Sequence, residues 1–153
     1  MGDLSLNFSK NEFACPCCGK NDISPTLVAK LQILRNRVGE PINVTSGVRC
    51  KAYNKKIDGV NNSPHIPYSV IMNGISRCIG RAADIQVAGI PPYILANIAE
   101  NIGNMRIGIY PNHLHLDVVP PNPSKFWLVK KYGGEYIYSK KEKSLSTFLK
   151  NNL

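Results

Sequence analysis

Five consecutive residues limit the possible folds of this chain more than any other feature: His113-Leu114-His115-Leu116-Asp117. Successive side chains of a β-strand point to opposite faces, so the two leucines share one face and the three titratable residues share the other. The leucine face can pack on a hydrophobic core. Three titratable groups gathered on the other face are costly unless they bind something, such as a metal ion. The alternative is an ordinary polar strand at the surface.

The rest of the chain predicts a single small domain of the α+β class. A helix is predicted to begin at Ser24-Pro25 and to end at Gly39, with apolar residues every three or four positions. Local patterns also predict a short helix at 7–13, a helix at 92–103, and strands at 41–46, 82–87, 105–110 and 114–118. Residues 50–80 are predicted to be mostly polar and irregular. This order of elements predicts a small sheet packed with helices.

Two residues outside the alternating strand could contribute to a metal site. His65 lies in a loop rich in turn-forming residues, where catalytic groups are often placed. Asp84 lies among small and apolar residues, so its carboxylate either pairs with a neighbour such as Arg81 or binds a cation. Two imidazoles, one carboxylate and an open fourth position form a typical ligand set for a catalytic zinc ion.

The spacing of these residues carries a resemblance to a known family. The chain has Ser-x-His at 63–65, Gly-x-Ala-x-Asp at 80–84 and His-x-His at 113–115, with Ser-Gly-x-Arg upstream at 46–49. It resembles the D-Ala-D-Ala metallopeptidases, part of a group that includes lysostaphin-type enzymes and the hedgehog signalling domain. The likeness extends over about residues 7–127, and several of its motifs are similar to those of phage and prophage members. It implies a short antiparallel sheet flanked by helices.

The resemblance implies a zinc-dependent peptidase with one Zn²⁺ per chain. His65, Asp84 and His115 would bind the ion, and His113 would lie beside it to stabilise charge or move a proton. Relatives often have an acid three residues before the final histidine, but this chain has an asparagine there, and an amide cannot accept a proton from water. Asp117 is the nearest acid on the same face of the strand, and we therefore assign it as the general base.

Two more residues receive substrate-binding roles from the resemblance. Arg49 would bind a carboxylate of the substrate, a role suited to its planar, two-pronged donor geometry. Its alternative is a structural ion pair with Asp58 or Asp117. Ser63 would donate a hydrogen bond to the substrate, or act only as a turn residue. The implied substrate is a peptide of peptidoglycan.

One departure from the family pattern lies between the first two metal ligands. The family separates its first histidine from the glycine by two residues, whereas fourteen residues separate them here. Removing residues 67–78 would restore the family spacing, so these twelve residues are predicted to be an insert. Asn73-Gly74 at its centre is a typical hairpin turn. We predict a flap beside the cleft; the alternative is an insert that disturbs the site and leaves an inactive relative.

The five cysteines leave three possibilities open. Cys15, Cys17 and Cys18 are close together in the chain, while Cys50 and Cys78 stand apart. An odd number does not fit a secreted disulfide framework. The first three thiols together with Cys50 could form a structural zinc site, or two of these four could form a disulfide. The third possibility is that all five cysteines remain reduced.

Charge and chain ends suggest where the protein acts. The net charge is +9, and a basic C-terminal extension, residues 128–153, follows the predicted peptidase domain at 1–127. A basic extension attracts polyanions; the alternative is a solubilising tail with no partner. No apolar run approaches the ~20 residues that span a bilayer, and residues 1–7 lack the features of a secretion signal. We therefore expect synthesis in the cytoplasm, and action in the cell wall or periplasm after release. The alternative function is an inactive zinc-containing module that binds cell wall or polyanions; nucleic acid is an unlikely partner, since no recognition motif accompanies the lysines.

Overall fold

The computed structural model describes residues 2–120, 125–132 and 135–138, and these residues form an α+β fold, as predicted. The helices are a short 3-10 helix (Lys10–Phe13), α1 (Pro25–Val38), α2 (Lys51–Lys56) and α3 (Pro92–Glu100). The strands are β1 (Ile42–Ser46), β2 (Tyr68–Met72), β3 (Ile75–Ile79), β4 (Ala82–Val87), β5 (Arg106–Ile109), β6 (Leu114–Asp117), β7 (Lys125–Tyr132) and β8 (Glu135–Tyr138). No helix in this described part of the chain has the length and apolar character needed to cross a membrane.

A six-stranded sheet forms the centre of the molecule, in the order β1-β4-β6-β5-β7-β8. Neighbouring strands are antiparallel except for the parallel pair β5–β7. In the β4–β6 register Asp84 lies opposite His115, and in the β5–β6 register Gly108 lies opposite the same histidine. The middle of the sheet therefore brings residues from three strands to one point.

The hydrophobic core fills the space between the helices and the sheet. Leu31 of α1 and Leu95 of α3 are almost fully buried, as are Leu114 and Leu116 of β6. The leucine face of the alternating segment thus packs in the core, as its pattern predicts. Helix α1 ends at Gly39, whose φ of 78° is left-handed and suits a residue without a Cβ.

The region predicted to be irregular contains a helix and a hairpin. Helix α2 has six residues, too few to show an apolar period, and begins at Cys50, whose Sγ accepts a hydrogen bond from the Tyr53 N–H. Strands β2 and β3 pair as an antiparallel hairpin over most of the predicted insert. Asn73 and Gly74 form its turn with φ values of 50° and 76°, which confirms the predicted hairpin.

The sheet continues beyond the position at which the sequence motifs end. Strand β7 runs through residue 132, five residues past the expected limit of the domain at 127, and β8 pairs with it. Residues 128–132 and 135–138 therefore belong to the sheet. Residues 133–134 and 139–153, the remainder of the predicted basic extension, lie outside the described residues.

Candidate metal centre

Three predicted ligands meet at one point of the fold. Asp84 on β4 and His115 on β6 are adjacent across the sheet, and the loop before the hairpin brings His65 to them. His65 Nε2 lies 3.2 Å from Asp84 Oδ1 and 3.2 Å from His115 Nδ1, and His115 Nδ1 lies 2.8 Å from Asp84 Oδ1. All three side chains are buried. The structure thus assembles residues that are far apart in the sequence into one possible metal-binding group.

The outer nitrogens of both imidazoles are held by hydrogen-bond acceptors. His65 Nδ1 donates to the Gly47 carbonyl oxygen at 2.6 Å, and His115 Nε2 donates to Asp117 Oδ2 at 3.0 Å. These bonds place the imidazole protons on the outer side and leave the lone pairs of His65 Nε2 and His115 Nδ1 facing the Asp84 carboxylate. Three electron-rich atoms in contact repel one another unless a cation or a proton lies between them.

The group has the chemistry and the dimensions of a zinc site. Ligands about 2.0–2.1 Å from a tetrahedral Zn²⁺ lie about 3.3 Å from one another. The observed separations of 2.8–3.2 Å need only a small expansion to match. Imidazole nitrogen and carboxylate oxygen are usual zinc ligands, and acceptors behind metal-binding histidines are a regular feature of such sites. The residues therefore fit the ion.

Without a metal, the group holds a proton in its place. Burial by itself lowers the pKa of His115, but the carboxylates of Asp117 and Asp84 outweigh burial and raise the pKa to about 9. Burial lowers the pKa of His65, so this imidazole stays neutral. Burial would raise the pKa of Asp84, but the two imidazoles hold it well below its ordinary value. At neutral pH the metal-free group therefore contains one imidazolium and one carboxylate.

Asp117 supports His115 from the side opposite the other ligands. It is fully buried, and its carboxylate forms a two-pronged ion pair with Arg106, with Nε–Oδ1 at 2.6 Å and a terminal nitrogen–Oδ2 at 2.9 Å. The Val119 N–H also donates to Oδ1. Burial would raise the pKa of Asp117, but His115 and Arg106 lower it. The residue named as general base from the sequence is thus engaged on both of its oxygens.

Arg49 contacts the centre directly. Its guanidinium pairs with Asp84 Oδ2, and its Nε donates to Ser46 Oγ at 2.8 Å. The alternative partners considered from the sequence, Asp58 and Asp117, are not the ones it contacts in these bonds. The Asp84 carboxylate is therefore shared, with Oδ1 facing the imidazoles and Oδ2 facing Arg49.

Ser63 is buried two residues before His65. Its Oγ accepts a hydrogen bond from the His65 N–H at 3.3 Å, and its carbonyl accepts one from the Ile66 N–H. These bonds fix the turn that presents the His65 imidazole. The residue also lines the cleft over the centre, so both of the roles considered from the sequence are compatible with its position.

His113 lies at the edge of the centre and is partly exposed. Its ring stacks on Tyr110 with the centroids 4.2 Å apart, and its Nδ1 lies 2.9 Å from Asn112 Oδ1. If the amide oxygen accepts the Nδ1 proton, the lone pair of Nε2 points away from it, toward Asp84 Oδ1 at 3.9 Å. Burial lowers the pKa of this imidazole, which favours its neutral form.

A comparison with protein-family models agrees with this geometry. The model described as Peptidase M15 matches residues 5–117, which include the three candidate ligands together with Arg49, Ser63, His113 and Asp117. The chain belongs to the peptidase M15 family. This is the family of D-Ala-D-Ala metallopeptidase-like proteins, so the resemblance found in the motifs is confirmed, and membership indicates a metallopeptidase that acts on peptides. No curated protein matches the chain.

Three residues of this M15 peptidase centre were missed from the sequence. Arg106 is one, although a two-residue turn after Tyr110 would have placed it opposite Asp117. Trp127 is another. The centroid of its indole ring lies 5.4 Å from the centroid of the His115 ring, and the indole forms a wall of the site. Gly108 makes this possible, since a Cβ there would lie 2.6 Å from the indole. No sequence signal indicated that β5 and β7 are neighbours.

A cleft of about 570 Å³ opens over the candidate metal centre of this M15 chain. Its volume lies within the usual range for ligand sites, roughly 300–1,000 Å³. Arg49, Tyr110, His113 and Trp127 line it together with the loop at 57–64. No residue of the β2–β3 hairpin is among the described residues that line it, so the structure does not place the insert over the cleft as a flap.

Proposed function

We propose that this M15 chain is a zinc-dependent peptidase that hydrolyses peptides of peptidoglycan, with one catalytic Zn²⁺ at His65, Asp84 and His115. The observation that supports this most strongly is the convergence of two imidazole lone pairs and one carboxylate oxygen beneath an open cleft. Three protein ligands and one open position are the usual arrangement of a catalytic zinc site.

Zinc in such a site polarises a carbonyl group and lowers the pKa of water. The protein's own residues then have distinct tasks. We assign proton transfer to His113, because it is partly exposed to the cleft and the Asn112 amide can hold its Nδ1 proton. Asp117 becomes a positioning residue that orients His115, since Arg106, His115 and the Val119 N–H already occupy its carboxylate. This assignment replaces Asp117 as the proposed base.

Arg49 has two tasks in this proposal. Its bond to Asp84 Oδ2 holds the carboxylate with Oδ1 directed at the imidazoles. It also lines the cleft, where a guanidinium can bind a peptide carboxylate. Ser63 lines the same cleft, and its hydroxyl can donate to a substrate carbonyl while its oxygen accepts the His65 N–H.

The family and one side chain in the cleft support peptidoglycan peptides as the substrate class. Peptidoglycan peptides carry free carboxylates, and the Arg49 guanidinium lines the cleft. Tyr110 and Trp127 offer apolar walls for the peptide backbone and small side chains. The proposed place of action is the bacterial cell wall.

Incubation with purified peptidoglycan tests the proposal. The expected result is the release of soluble peptide fragments, whose masses identify the bond that is cut. The His65→Ala/His115→Ala variant is the control and should release none. The rival function, an inactive module that binds cell wall, predicts that the protein sediments with peptidoglycan and releases no fragment; that result would contradict the proposal.

A further inference from the structure

A second group of possible metal ligands lies apart from the catalytic centre. The thiol sulfurs of Cys15, Cys18 and Cys50 all lie within 4.8 Å of one another. The Cys17 thiol forms a hydrogen bond with Cys50. Three of the five thiols therefore form one group, and the Cys17 thiol lies beside it. Cys78 is exposed on the β2–β3 hairpin, with its sulfur 3.6 Å from Ser69 Oγ.

Backbone N–H groups donate hydrogen bonds to the sulfurs of Cys15 and Cys50. The Cys50 N–H donates to Cys15 Sγ at 3.3 Å, and the N–H groups of Cys17 and Cys18 also donate to it. The Tyr53 N–H donates to Cys50 Sγ at 3.3 Å. A disulfide sulfur is neutral and gains little from such donors.

We propose that Cys15, Cys17, Cys18 and Cys50 bind a second zinc ion in a closed structural site. Four sulfurs about 2.3 Å from a tetrahedral Zn²⁺ lie about 3.8 Å from one another. The sulfurs of Cys15, Cys18 and Cys50 all lie within 4.8 Å of one another and need only small side-chain rotations to reach this spacing. Cys17, whose thiol contacts Cys50, would supply the fourth sulfur. Four protein ligands leave no position for water or substrate, which distinguishes this site from the catalytic one. A disulfide would use only two of the four gathered thiols.

The second site joins the N-terminal segment to the loop that supports the catalytic centre. Cys15 begins a tight turn closed by bonds between its own N–H and the Lys20 carbonyl, at 2.8 Å, and between the Gly19 N–H and its carbonyl, at 2.9 Å. Cys50 directly follows Arg49, whose guanidinium holds Asp84. A zinc ion between them would fix one end of this loop.

The other end of the loop already packs on the N-terminal segment. The Val48 N–H donates to the Phe13 carbonyl at 2.8 Å, and a Cβ on Gly47 would lie only 2.5 Å from Phe13 Cα. The Gly47 carbonyl in turn accepts the Nδ1 proton of His65. The structural zinc would thus hold in place the loop that positions two residues of the catalytic centre.

Metal content and cobalt spectra test this inference separately from the proposed function. Protein purified under reducing conditions should contain two zinc ions per chain, and His65→Ala/His115→Ala should retain one. Cobalt in that variant should show thiolate-to-cobalt charge-transfer absorption, because its remaining ligands are sulfurs. Cys15→Ser/Cys50→Ser should lose this absorption, and Cys78→Ser, the matched control, should keep it.

The cobalt spectrum of His65→Ala/His115→Ala is decisive, because it needs no cysteine variant to fold. Absence of the charge-transfer absorption in that variant would overturn the second site. A disulfide among the four cysteines in the same preparation, found by mass spectrometry of peptides from unreduced protein, would also overturn it. A failed catalytic proposal gives a different pattern: thiolate absorption is present, but alanine at the two histidines leaves the metal content unchanged.

Discussion

At the scale of single residues, Asn112 bears on the proton transfer that we propose for His113. The amide cannot be a base, but its Oδ1 lies 2.9 Å from His113 Nδ1 and can fix the tautomer of that ring. Asp117, the acid named as general base from the sequence, is fully buried behind His115. Spacing alone could not distinguish these roles, because it does not show which oxygens are already occupied.

Replacing His113 tests the assignment of proton transfer. His113→Ala should lower kcat by roughly 10²–10⁴, the usual contribution of a general acid or base. Zinc content and Tm should stay at wild-type values, because the side chain is not a proposed ligand and is partly exposed. Peptide hydrolysis, elemental analysis and a thermal melt on one preparation provide the comparison. A kcat of His113→Ala close to the wild-type value would show that another group transfers the proton.

Gly108 is the residue whose replacement should disturb the site by crowding. In Gly108→Ala the new Cβ would lie 2.6 Å from the Trp127 indole, so the ring must move away from His115. Overpacking of this kind costs about 1–3 kcal/mol of unfolding free energy. Chemical denaturation should show the loss in the wild-type background and almost none in Trp127→Ala, where the space is free. Equal losses in both backgrounds would rule out this contact as the cause.

At the scale of elements, strands and helices with a clear period were predicted, the β2–β3 hairpin was predicted from its Asn73-Gly74 turn, and helix α2 was not predicted. Helix α1 and strands β1, β4, β5 and β6 follow their apolar patterns closely. Helix α2 is too short to show a period, and its first turn depends on a contact with a cysteine thiol. The pairing of β4 with β6, which brings Asp84 to His115, joins strands separated by a helix and another strand. Local sequence patterns do not indicate that these two strands are neighbours.

The β2–β3 hairpin should be dispensable for the metal centre. Its links to the body of the protein include an exposed ion pair, Arg77–Asp22 at 2.7 Å, and the stacking of Arg81 on Tyr68. Deleting residues 67–78 restores the family spacing, so the variant should bind catalytic zinc as the wild type does. With no hairpin residue among the described lining of the cleft, KM for a short peptide should be unchanged.

Elemental analysis and steady-state kinetics of the deletion variant check this expectation. Loss of zinc would show that the hairpin is needed to bring His65 to Asp84. A raised KM with normal zinc content would instead support the flap predicted from the sequence. Arg77→Ala, which removes only the ion pair between the hairpin and Asp22, is the control. It should leave zinc content and KM unchanged, because an exposed ion pair contributes only about 0–1 kcal/mol.

At the scale of the whole molecule, the metal-free protein should lose stability as the pH rises. The pKa of His115 is about 9 in the folded chain against an ordinary 6.5, because its two carboxylate partners outweigh burial. A raised pKa stabilises the fold fully below pH 6.5, and this contribution is lost as the pH rises through about 9. Zinc replaces the proton, so the zinc-bound protein should not show this loss.

Chemical denaturation of chelator-treated protein across this pH window measures the effect. The difference in unfolding free energy between the wild type and His115→Asn should shrink from low to high pH, since only the wild type has the titrating imidazole. The comparison also removes contributions from the cysteines, which are the same in both proteins. A difference that does not vary with pH would show that the metal-free centre holds no such proton.

The domain limit shows what motif reasoning leaves out. Sequence motifs mark residues that take part in the chemistry, and the last of them, at residue 127, suggested that the domain ends there. The sheet continues past that residue through β7 and β8. Strand β7 pairs in parallel with β5 and supplies Trp127 to the site. The three candidate ligands could be named from the sequence because zinc chemistry restricts the residue types and the family motifs restrict their spacing. Arg106 and Trp127 were not, because many residues can support a ligand from behind or beside it.

The most direct test of a zinc peptidase centred on His65, Asp84 and His115 is the hydrolysis of peptidoglycan peptides during zinc titration of metal-free protein. Wild-type protein should be inactive after chelator treatment and should regain activity in proportion to the zinc bound at the histidine site. The His65→Ala/His115→Ala variant should remain inactive at every zinc concentration. Full activity of chelator-treated wild type that holds no zinc, or hydrolysis by the variant at the wild-type rate, would contradict the account.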